Sequence, residues 1–338
     1  MACKLRFEID ADPASVQRLV PTTKSERYEG IDFSCSGEII GVATSDTNAV
    51  LLFRRKSDGL FEAEPYSIIR GLDYPHDLSF AMCGDTELLA VAQRTGAIAV
   101  FERDPAHDTY SPQPILAISG PESKLDFSDG VAFVPPDNNY LAACNLTSES
   151  ISFYPQVSRS PIQFAVTPEF ELKHASVKHP DGLAFSRCGK WLAIANHGNH
   201  TVSIFRRRNK FLSGGKLRYG PKPVTVIDDS QLFHPHSVAF TPQTCHLIVT
   251  NSGANYFSVY EPERHYFGTR WSPTPVFKQI VNSEAAFREV NARNQMEGGP
   301  KGVATHKNNL AICSPEFGVK IYSFREPATQ TSHRSRDA

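Results

Sequence analysis

Six ionisable residues recur at matching places along this 338-residue chain, one in each of six similar segments. Each stands directly before a short strand-like stretch such as GIDFS, DLSF, GVAF or GLAF. In chain order they are Glu29, His76, Asp129, Asp181, His236 and Lys301. Carboxylates and imidazoles are the groups that proteins most often use as general acids, general bases and metal ligands. If the fold brings these six side chains together, they form a single site.

A second polar set stands at the end of the strand-like stretch that follows each of these positions. Its members are all uncharged: Thr44, Gln93, Asn145, Asn196, Asn251 and Ser314. In an antiparallel pair the start of one strand lies beside the end of its partner. The two sets should therefore form two rings at one mouth of a channel. We predict that Gln93, Asn145, Asn196 and Asn251, together with Lys301, bind substrate.

The elements that must position these rings are clearest in the segment 179–205, HPDGLAFSRCGKWLAIANHGNHTVSIF. Its apolar runs LAF, WLAIA and VSIF predict three strands, and the continuous run WLAIA is typical of a strand buried on both faces. Five weaker copies recur at steps of 47 to 65 residues, each with a more polar fourth strand between copies. Repeats of this length with four strands apiece predict an all-β fold, a six-bladed β-propeller of four-stranded blades.

The two ends of the chain indicate how the ring closes. The last copy stops after its third strand, at Phe324, whereas Ser15–Val20 has an outer-strand pattern and precedes the first copy. We predict that this N-terminal strand completes the sixth blade, which removes the exposed sheet edges. The predicted organisation is one domain over residues 1–324, with blades in 21–324, followed by a disordered tail at 325–338. A degenerate seventh blade is the alternative, but no segment is left to form it.

One helix is predicted between the last two blades. Residues 283–294, SEAAFREVNARN, begin with a serine and contain good helix formers. The segment joins an outer strand to an inner strand, so we expect it on the same face as the two rings. It would cover the rings as a lid or, alternatively, pack as a surface helix.

The composition limits which partners and which cellular compartment are expected. The net charge is −1, so attraction of the whole molecule to nucleic acid or to an anionic membrane is not expected. No apolar run approaches the ~20 residues of a membrane-spanning helix, and the charged N-terminus lacks a signal-peptide core. We predict a cytoplasmic protein with a small-molecule ligand, with a protein partner as a further option, and without nucleic-acid or membrane partners.

The types of the ring residues indicate two kinds of chemistry. Glu29, Asp129 and Asp181 offer the hard oxygen ligands that Ca²⁺ prefers. His76 and His236 could act as general base and acid, with Asp181 as the third catalytic group, or could bind a transition metal. The alternative is structural, because aspartate and asparagine commonly cap strand ends and turns.

The repeat HPDGLAFSRCGKWLAIANHGNHTVSIF resembles those of the YVTN/NHL and lactonase-type propellers, and six blades also invite comparison with gluconolactonases, paraoxonase-type esterases and strictosidine-synthase-like proteins. In the gluconolactonases and paraoxonases a central calcium is held by a Glu of the first blade and by Asn and Asp of later blades. The resemblance places Glu29 of YEGIDF and Asp181 of HPDGLAF at matching positions, with Asn145 or Asn196 as amide ligands. The chain departs from that pattern because its ring also contains His76, His236 and Lys301.

Together these patterns favour a small-molecule site at the channel mouth with the chemistry of a metal-dependent lactonase or esterase. A cation held by Glu29, Asp129 and Asp181 would polarise the carbonyl, and His76 or His236 would activate water. Two alternatives stay open. One is a non-catalytic protein-interaction scaffold. The other is a metal-free synthase of the strictosidine-synthase type that uses one ring carboxylate as its acid–base group.

Overall fold

A ring of six four-stranded blades makes up the protein, as the sequence predicts. The structure is a computed structural model that describes residues 7–19, 27–209, 213–266, 268–294, 296 and 298–327. Strands account for 52% of the residues and helix for 4%, which makes the fold all-β.

The four strands of each blade run antiparallel from the channel outwards. The inner strands, in blade order, are Tyr28–Phe33, Pro75–Cys83, Ser128–Phe133, Pro180–Phe185, Pro235–Phe240 and Val303–His306. The second strands are Ile39–Thr44, Thr86–Gln93, Tyr140–Asn145, Trp191–Asn196, Leu247–Asn251 and Asn309–Ser314. The third strands are Ala49–Arg54, Ala97–Asp104, Ser150–Arg159, Thr201–Arg206, Tyr256–Tyr260 and Gly318–Arg325. The outer strands of blades 1 to 5 are Ser67–Ile69, Leu116–Ser119, Phe170–Lys173, Thr225–Ile227 and Phe277–Ile280.

The sixth blade is closed by the N-terminal end of the chain. The strand Gln17–Leu19 pairs with the last third strand, and its Leu19 lies opposite Val319. This confirms the predicted closing strand, although its final residue, Val20, lies outside the described residues. Because strands from both ends of the chain pair within this blade, the ring of blades is closed.

Residues near both ends of the chain add contacts to blades 5 and 6. A further strand, Glu8–Asp10, pairs with the end of the last third strand, and the buried Phe7 stacks on His246 and Phe324. At the other end, Arg325 belongs to the last strand, and Glu326 accepts hydrogen bonds from Thr241 and from the backbone N–H of Gln243. The rest of the predicted tail, residues 328–338, lies outside the described residues.

The hydrophobic core lies between the blades. Six clusters of buried side chains occur in the described residues, and each joins two neighbouring blades. The second strands explain this arrangement, because the strand Trp191–Asn196 is buried along its whole length. Its residues contact one neighbouring blade from each face of the sheet, which is why the sequence WLAIA is apolar throughout.

Smaller elements decorate this ring. A 3₁₀ turn at Pro121–Ser123 precedes blade 3, and three third strands extend into hairpins. The hairpin strands are Thr109–Tyr110, Ile162–Phe164, Pro262–His265 and Gly268–Trp271. The predicted helix forms at Glu284–Arg293, with Ser283 as its N-cap. Its described contacts are with loops of blades 5 and 6, through Glu284 to Asn255 and through Ser283 to Glu316. No helix within the described ranges is long and apolar enough to cross a membrane.

Candidate functional site

A β-bulge presents the ring residue in each of the first five blades. The pairing between inner and second strands shifts register at the same place in all five, for example between Pro180 and Leu183 in blade 4. Glu29, His76, Asp129, Asp181 and His236 all lie within these bulges. A bulge adds one residue to the strand and re-aims its side chain, which explains why these polar groups point into the channel.

The chain enters four of these bulges in an unusual backbone conformation. The residue two positions before the ring residue has a positive φ in blades 2 to 5: Tyr74 at 55°, Phe127 at 46°, His179 at 43° and His234 at 48°. Side chains as bulky as these rarely adopt the left-handed region. Its recurrence at one position shows that the bulge geometry is imposed by the blade and not by a local glycine.

The six predicted ring residues do come together, and all are buried. Lys301 donates a hydrogen bond from Nζ to Glu29 Oε2 at 2.7 Å, although 272 residues separate the two in sequence. The same oxygen lies 3.4 Å from His236 Nε2 and 3.6 Å from His76 Nε2. Glu29 is therefore the common partner of one lysine and two histidines.

The two histidines form the centre of the ring. His76 and His236 stack with their ring centroids 5.0 Å apart. On the other side of His76, its Nδ1 lies 3.7 Å from Asp129 Oδ1 and 3.7 Å from Asp181 Oδ1. Asp181 also approaches His236, with Oδ2 3.9 Å from Nε2. Neither His76 Nε2 nor Asp181 Oδ1 has a hydrogen-bond partner among the described residues.

Three further side chains belong to this site: Arg94 and Arg27, which were not predicted from the sequence, and His197, which the sequence indicates only as a weaker candidate. Arg94 donates to both oxygens of Asp129, at 2.6 and 3.3 Å, and Arg27 donates to Glu29 Oε1 at 3.2 Å. His197 Nδ1 lies 3.3 Å from Asp181 Oδ2. Arg94 and His197 each follow directly after a member of the second polar set, Gln93 or Asn196, so their positions in the repeat are a signal that the sequence carries.

The environment shifts the pKa values of the two stacked histidines in opposite directions. Burial, together with the Arg94 cation, holds the pKa of His76 well below its usual value despite the nearby carboxylates of Glu29 and Asp181. Burial also lowers the pKa of His236, but Asp181 and the Glu29 carboxylate close to its ring more than offset this effect, so that pKa is raised. His76 is therefore a neutral base at neutral pH, whereas His236 holds its proton more tightly than a free imidazole does.

The carboxylates differ as well. Burial raises the pKa of Glu29, but the Lys301 cation and the two histidines outweigh it and hold that pKa well below its usual range. For Asp181 burial is likewise outweighed, by His236 and by the nearby imidazole of His197, so its pKa is lowered. Burial and the neighbouring Asp181 raise the pKa of Asp129 to about 7, against the opposing effect of Arg94.

The second polar set tethers the loops that lead into the ring. The side-chain oxygens of Gln93, Asn145, Asn196 and Asn251 each accept a backbone N–H from the residue three positions before a ring residue. The amide nitrogens of Asn145 and Asn196 donate to pairs of hydroxyls on the third strand. These amides are hydrogen bonded within the protein and position the ring, and their predicted role in substrate binding stays a prediction.

Two cavities follow the channel axis. The smaller has a volume of about 10 Å³ and is lined by Glu29, His76, Asp129, Asp181 and His236. It is close to the smallest volume that holds one water molecule. The larger has a volume of about 660 Å³ and extends to the turns between inner and second strands, at the opposite mouth. Asp77 and Ser237 line both cavities, so a ligand-sized pocket lies directly next to the small cavity of the ring.

The donor set fits calcium poorly. Both oxygens of Glu29 accept hydrogen bonds from cationic side chains, and both oxygens of Asp129 are engaged by Arg94. Ca²⁺ takes roughly six to eight oxygen ligands, which would require Lys301 and Arg94 to leave. The two groups of described residues whose donor atoms have metal-ligand spacing both include the His76 imidazole. The assignment of Ca²⁺ to Glu29, Asp129 and Asp181 stays a prediction, and no step below depends on it.

Comparison with known proteins shows the fold and no closer relationship. No protein-family model matches the chain, and no curated protein matches its sequence. A 6-phosphogluconolactonase-like protein from Bacteroides fragilis superposes with a TM-score of 0.57 at 16% identity, covering 85% of this chain and 76% of its own. Virginiamycin B lyase from Staphylococcus aureus gives a TM-score of 0.54 at 11% identity, covering 94% and 100%. The WD40 repeats of RRP9 give a TM-score of 0.58 at 12% identity, also covering 94% and 100%. The resemblance to lactonase-type propellers is thus confirmed for the architecture.

Proposed function

We propose that this protein is a hydrolase of small-molecule lactones or esters, with its substrate in the channel cavity and its acid–base groups in the ring. The observation that supports this most directly is the pair of stacked histidines whose pKa values are shifted in opposite directions. Groups whose environments separate their pKa values in this way are the usual acid and base of a catalytic site. The proposal keeps the substrate class expected from the sequence and replaces the metal by His236.

Each ring residue then has a defined role. Neutral His76 takes a proton from a water molecule, whose oxygen forms a bond to the carbonyl carbon of the substrate. The His236 imidazolium donates a hydrogen bond to the carbonyl oxygen and then gives its proton to the departing alkoxide as the carbon–oxygen bond breaks. Asp181 contacts both imidazoles and positions them, and Lys301 holds Glu29 against His236.

The substrate class follows from the pocket and from the kind of fold. A cavity of about 660 Å³ matches the size of small-molecule sites. One structural neighbour is described as 6-phosphogluconolactonase-like, which makes lactones the first substrates to test. The same acid–base pair would also serve a metal-free synthase. Hydrolysis of one substrate added alone is expected of a hydrolase and not of a synthase, so this assay distinguishes the two.

The test is an assay of the purified protein on nitrophenyl acetate and butyrate, γ-butyrolactone and gluconolactone. For the substrate that is turned over, His76→Asn and His236→Asn should each lower kcat/KM by about 100-fold or more. His107→Asn is the matched control, because His107 is exposed and pairs with Asp104 on a hairpin of blade 2. Absence of turnover above the buffer rate for all four compounds, or wild-type rates in His76→Asn, would overturn the proposal.

A scaffold function is the second candidate, and one observation favours it. On the face that carries the ring, Phe127 and Phe233 are 45% and 46% exposed, which is unusual for phenylalanine. A protein partner would cover them. The test is a pull-down with the wild-type protein and with the double variant Phe127→Ser, Phe233→Ser. Loss of one specific partner in the variant, with unchanged hydrolysis, supports a scaffold role, whereas identical profiles argue against it.

A further inference from the structure

Two carboxyl groups that the proposed mechanism does not use line the large cavity. Asp32 lies on the inner strand of blade 1 and Asp77 on that of blade 2. Asp32 accepts backbone N–H groups from Phe33 at 2.8 Å and from Phe80 at 2.9 Å, and Asp77 accepts one from Val131 at 3.2 Å. Both are fixed to the wall by these bonds, on neighbouring blades of one cavity.

These two carboxyls lack the cations that balance the ring. Within the described part of the chain, neither Asp32 nor Asp77 lies within 4.0 Å of a lysine, arginine or histidine nitrogen. Burial raises the pKa of Asp32 to about 7 and that of Asp77 to about 8, and each of them also experiences a neighbouring acidic group. Both groups would ionise more readily if a positive charge entered the cavity.

The rest of the cavity wall suits an organic cation. Four phenylalanines, one from each of four blades, line it: Phe80, Phe133, Phe185 and Phe240. Aromatic rings attract cations, and substituted ammonium groups are the ligands most often bound in this way. An inorganic cation would keep its water shell and leave most of this apolar wall in contact with water, whereas an alkylated ammonium buries its methyl groups against the wall.

We propose that the channel cavity binds a small organic cation with a substituted ammonium group, held by Asp32 and Asp77 against the phenylalanine wall. The inference deepens the proposed function by naming the ligand class, and it rests on that function only in placing the ligand in this cavity. Binding is measurable without turnover, so the two ideas can fail separately.

The other charged groups around the pair set the expected pH dependence. Glu87 lies near Asp32, His236 lies on the ring side of Asp77, and Arg187, His306 and Lys307 line the outer part of the cavity. Arg187 and Lys307 are exposed at the mouth, where solvent screens them. Burial and Lys307 lower the pKa of His306, which keeps it neutral. Between pH 6 and pH 9 Asp32 and Asp77 lose protons, so affinity for a permanent cation should rise with pH.

Three probes of nearly equal shape test the inference: choline, its neutral isostere 3,3-dimethylbutan-1-ol, and 3,3-dimethylbutanoate. Calorimetry on the full chain at pH 8.5 should show choline binding at least about tenfold more tightly than the alcohol. Choline affinity should fall by at least about threefold from pH 8.5 to pH 6, where the carboxyls are protonated. The affinity of the alcohol should not change with pH.

Two variants test whether the carboxyl groups of the cavity wall cause the preference for choline. Asp32→Asn and Asp77→Asn keep a carbonyl oxygen as acceptor for the backbone N–H groups and should each weaken choline binding about tenfold. Asp58→Asn, on an exposed turn, is the control that should leave it unchanged. Equal binding of choline and the alcohol to the wild-type protein, or tighter binding of 3,3-dimethylbutanoate, would overturn the inference. This comparison does not depend on any variant. Choline binding without hydrolysis of any ester would instead reject the proposed function and keep the cation site.

Discussion

At the scale of single residues, the buried ring is a compensated set of charges. Glu29 is paired with Lys301 and Arg27, and Asp129 is paired with Arg94. Asp181 lies beside the imidazoles of His76 and His236. Buried ions are tolerated only when they are paired and hydrogen bonded. Removing one partner should therefore be much more damaging than removing an exposed charge.

Lys301→Met tests this compensation. It leaves the buried Glu29 carboxylate without its closest cation, and we expect the free energy of unfolding to fall by about 3–5 kcal/mol in urea titrations at pH 7. Lys173→Met removes a lysine from an exposed pair with Glu171 and should change stability by no more than about 1 kcal/mol. Adding Glu29→Gln to Lys301→Met should recover part of the loss. Equal effects of the two lysine variants would show that the ring is not a buried ion-pair network.

At the scale of residues, the sequence predicts which side chains face the channel but not what each of them does. The residue types at the six ring positions could be recognised because the repeat fixes which residue of each blade faces the channel. The roles of Gln93, Asn145, Asn196 and Asn251 could not, since an asparagine has the same appearance in sequence whether its amide tethers a loop or faces a ligand. Here the amide oxygens accept backbone N–H groups of the loops that lead into the ring.

At the scale of elements, the closing strand contributes more contacts to the fold than its short length suggests. Gln17–Leu19 has only three residues, yet it supplies an outer strand of blade 6, and its Leu19 is fully buried in the core between blades 6 and 1. This cluster also contains Phe61 of blade 1 and Val319 of blade 6. A short strand near one end of the chain therefore connects the two ends of the ring.

Leu19→Ala should lower the free energy of unfolding by about 2–5 kcal/mol, the usual loss when a buried leucine is truncated and a cavity remains. The matched control is Arg18→Ala, on the exposed side of the same strand, which should change stability little. Urea titration followed by fluorescence measures both. If the two variants are equally stable, the N-terminal strand does not hold the ring closed.

The bulges are the elements that sequence patterns miss. The register shift in five inner strands and the left-handed residues before four ring positions leave no glycine or Asn-Gly signal, because Tyr74, Phe127, His179 and His234 adopt positive φ values themselves. The surrounding blade forces these residues into the left-handed region. Strand existence was predictable from apolar runs, whereas the aim of each ring side chain depended on these bulges.

At the scale of the whole molecule, the two ends of the channel differ. Buried charged side chains occupy one end, and a pocket with an apolar wall opens at the other. The sequence predicts ligand binding at the mouth of the channel that carries the two polar rings. The ring is buried and the larger cavity opens at the opposite mouth, so in the proposed function the ligand enters from that mouth. Asp32 and Asp77 line the wall of this cavity, where the proposed cation would bind.

Metal analysis tests the calcium prediction on the whole protein. Because the ring carboxylates are already matched by the protein's own cations, we expect mass spectrometry of the purified chain to find less than stoichiometric Ca²⁺. The Tm should be the same in chelator and in millimolar Ca²⁺. About one Ca²⁺ per chain, with a Tm lowered by chelator, would restore calcium to Glu29, Asp129 and Asp181 and remove the basis for a metal-free mechanism.

The sequence by itself determined the number of blades, the strand order, the closing strand and the membership of the ring. These features follow from local apolar runs and from a repeat that places equivalent residues at equivalent points, so they can be recognised without knowing any distance. Only the tertiary structure decided in which direction the pKa of each histidine is shifted, which cations balance which carboxylates and which mouth of the channel opens into the larger cavity. Those properties depend on burial and on separations of a few ångströms between residues as far apart in sequence as Glu29 and Lys301, where electrostatic energies are set by geometry and not by residue type.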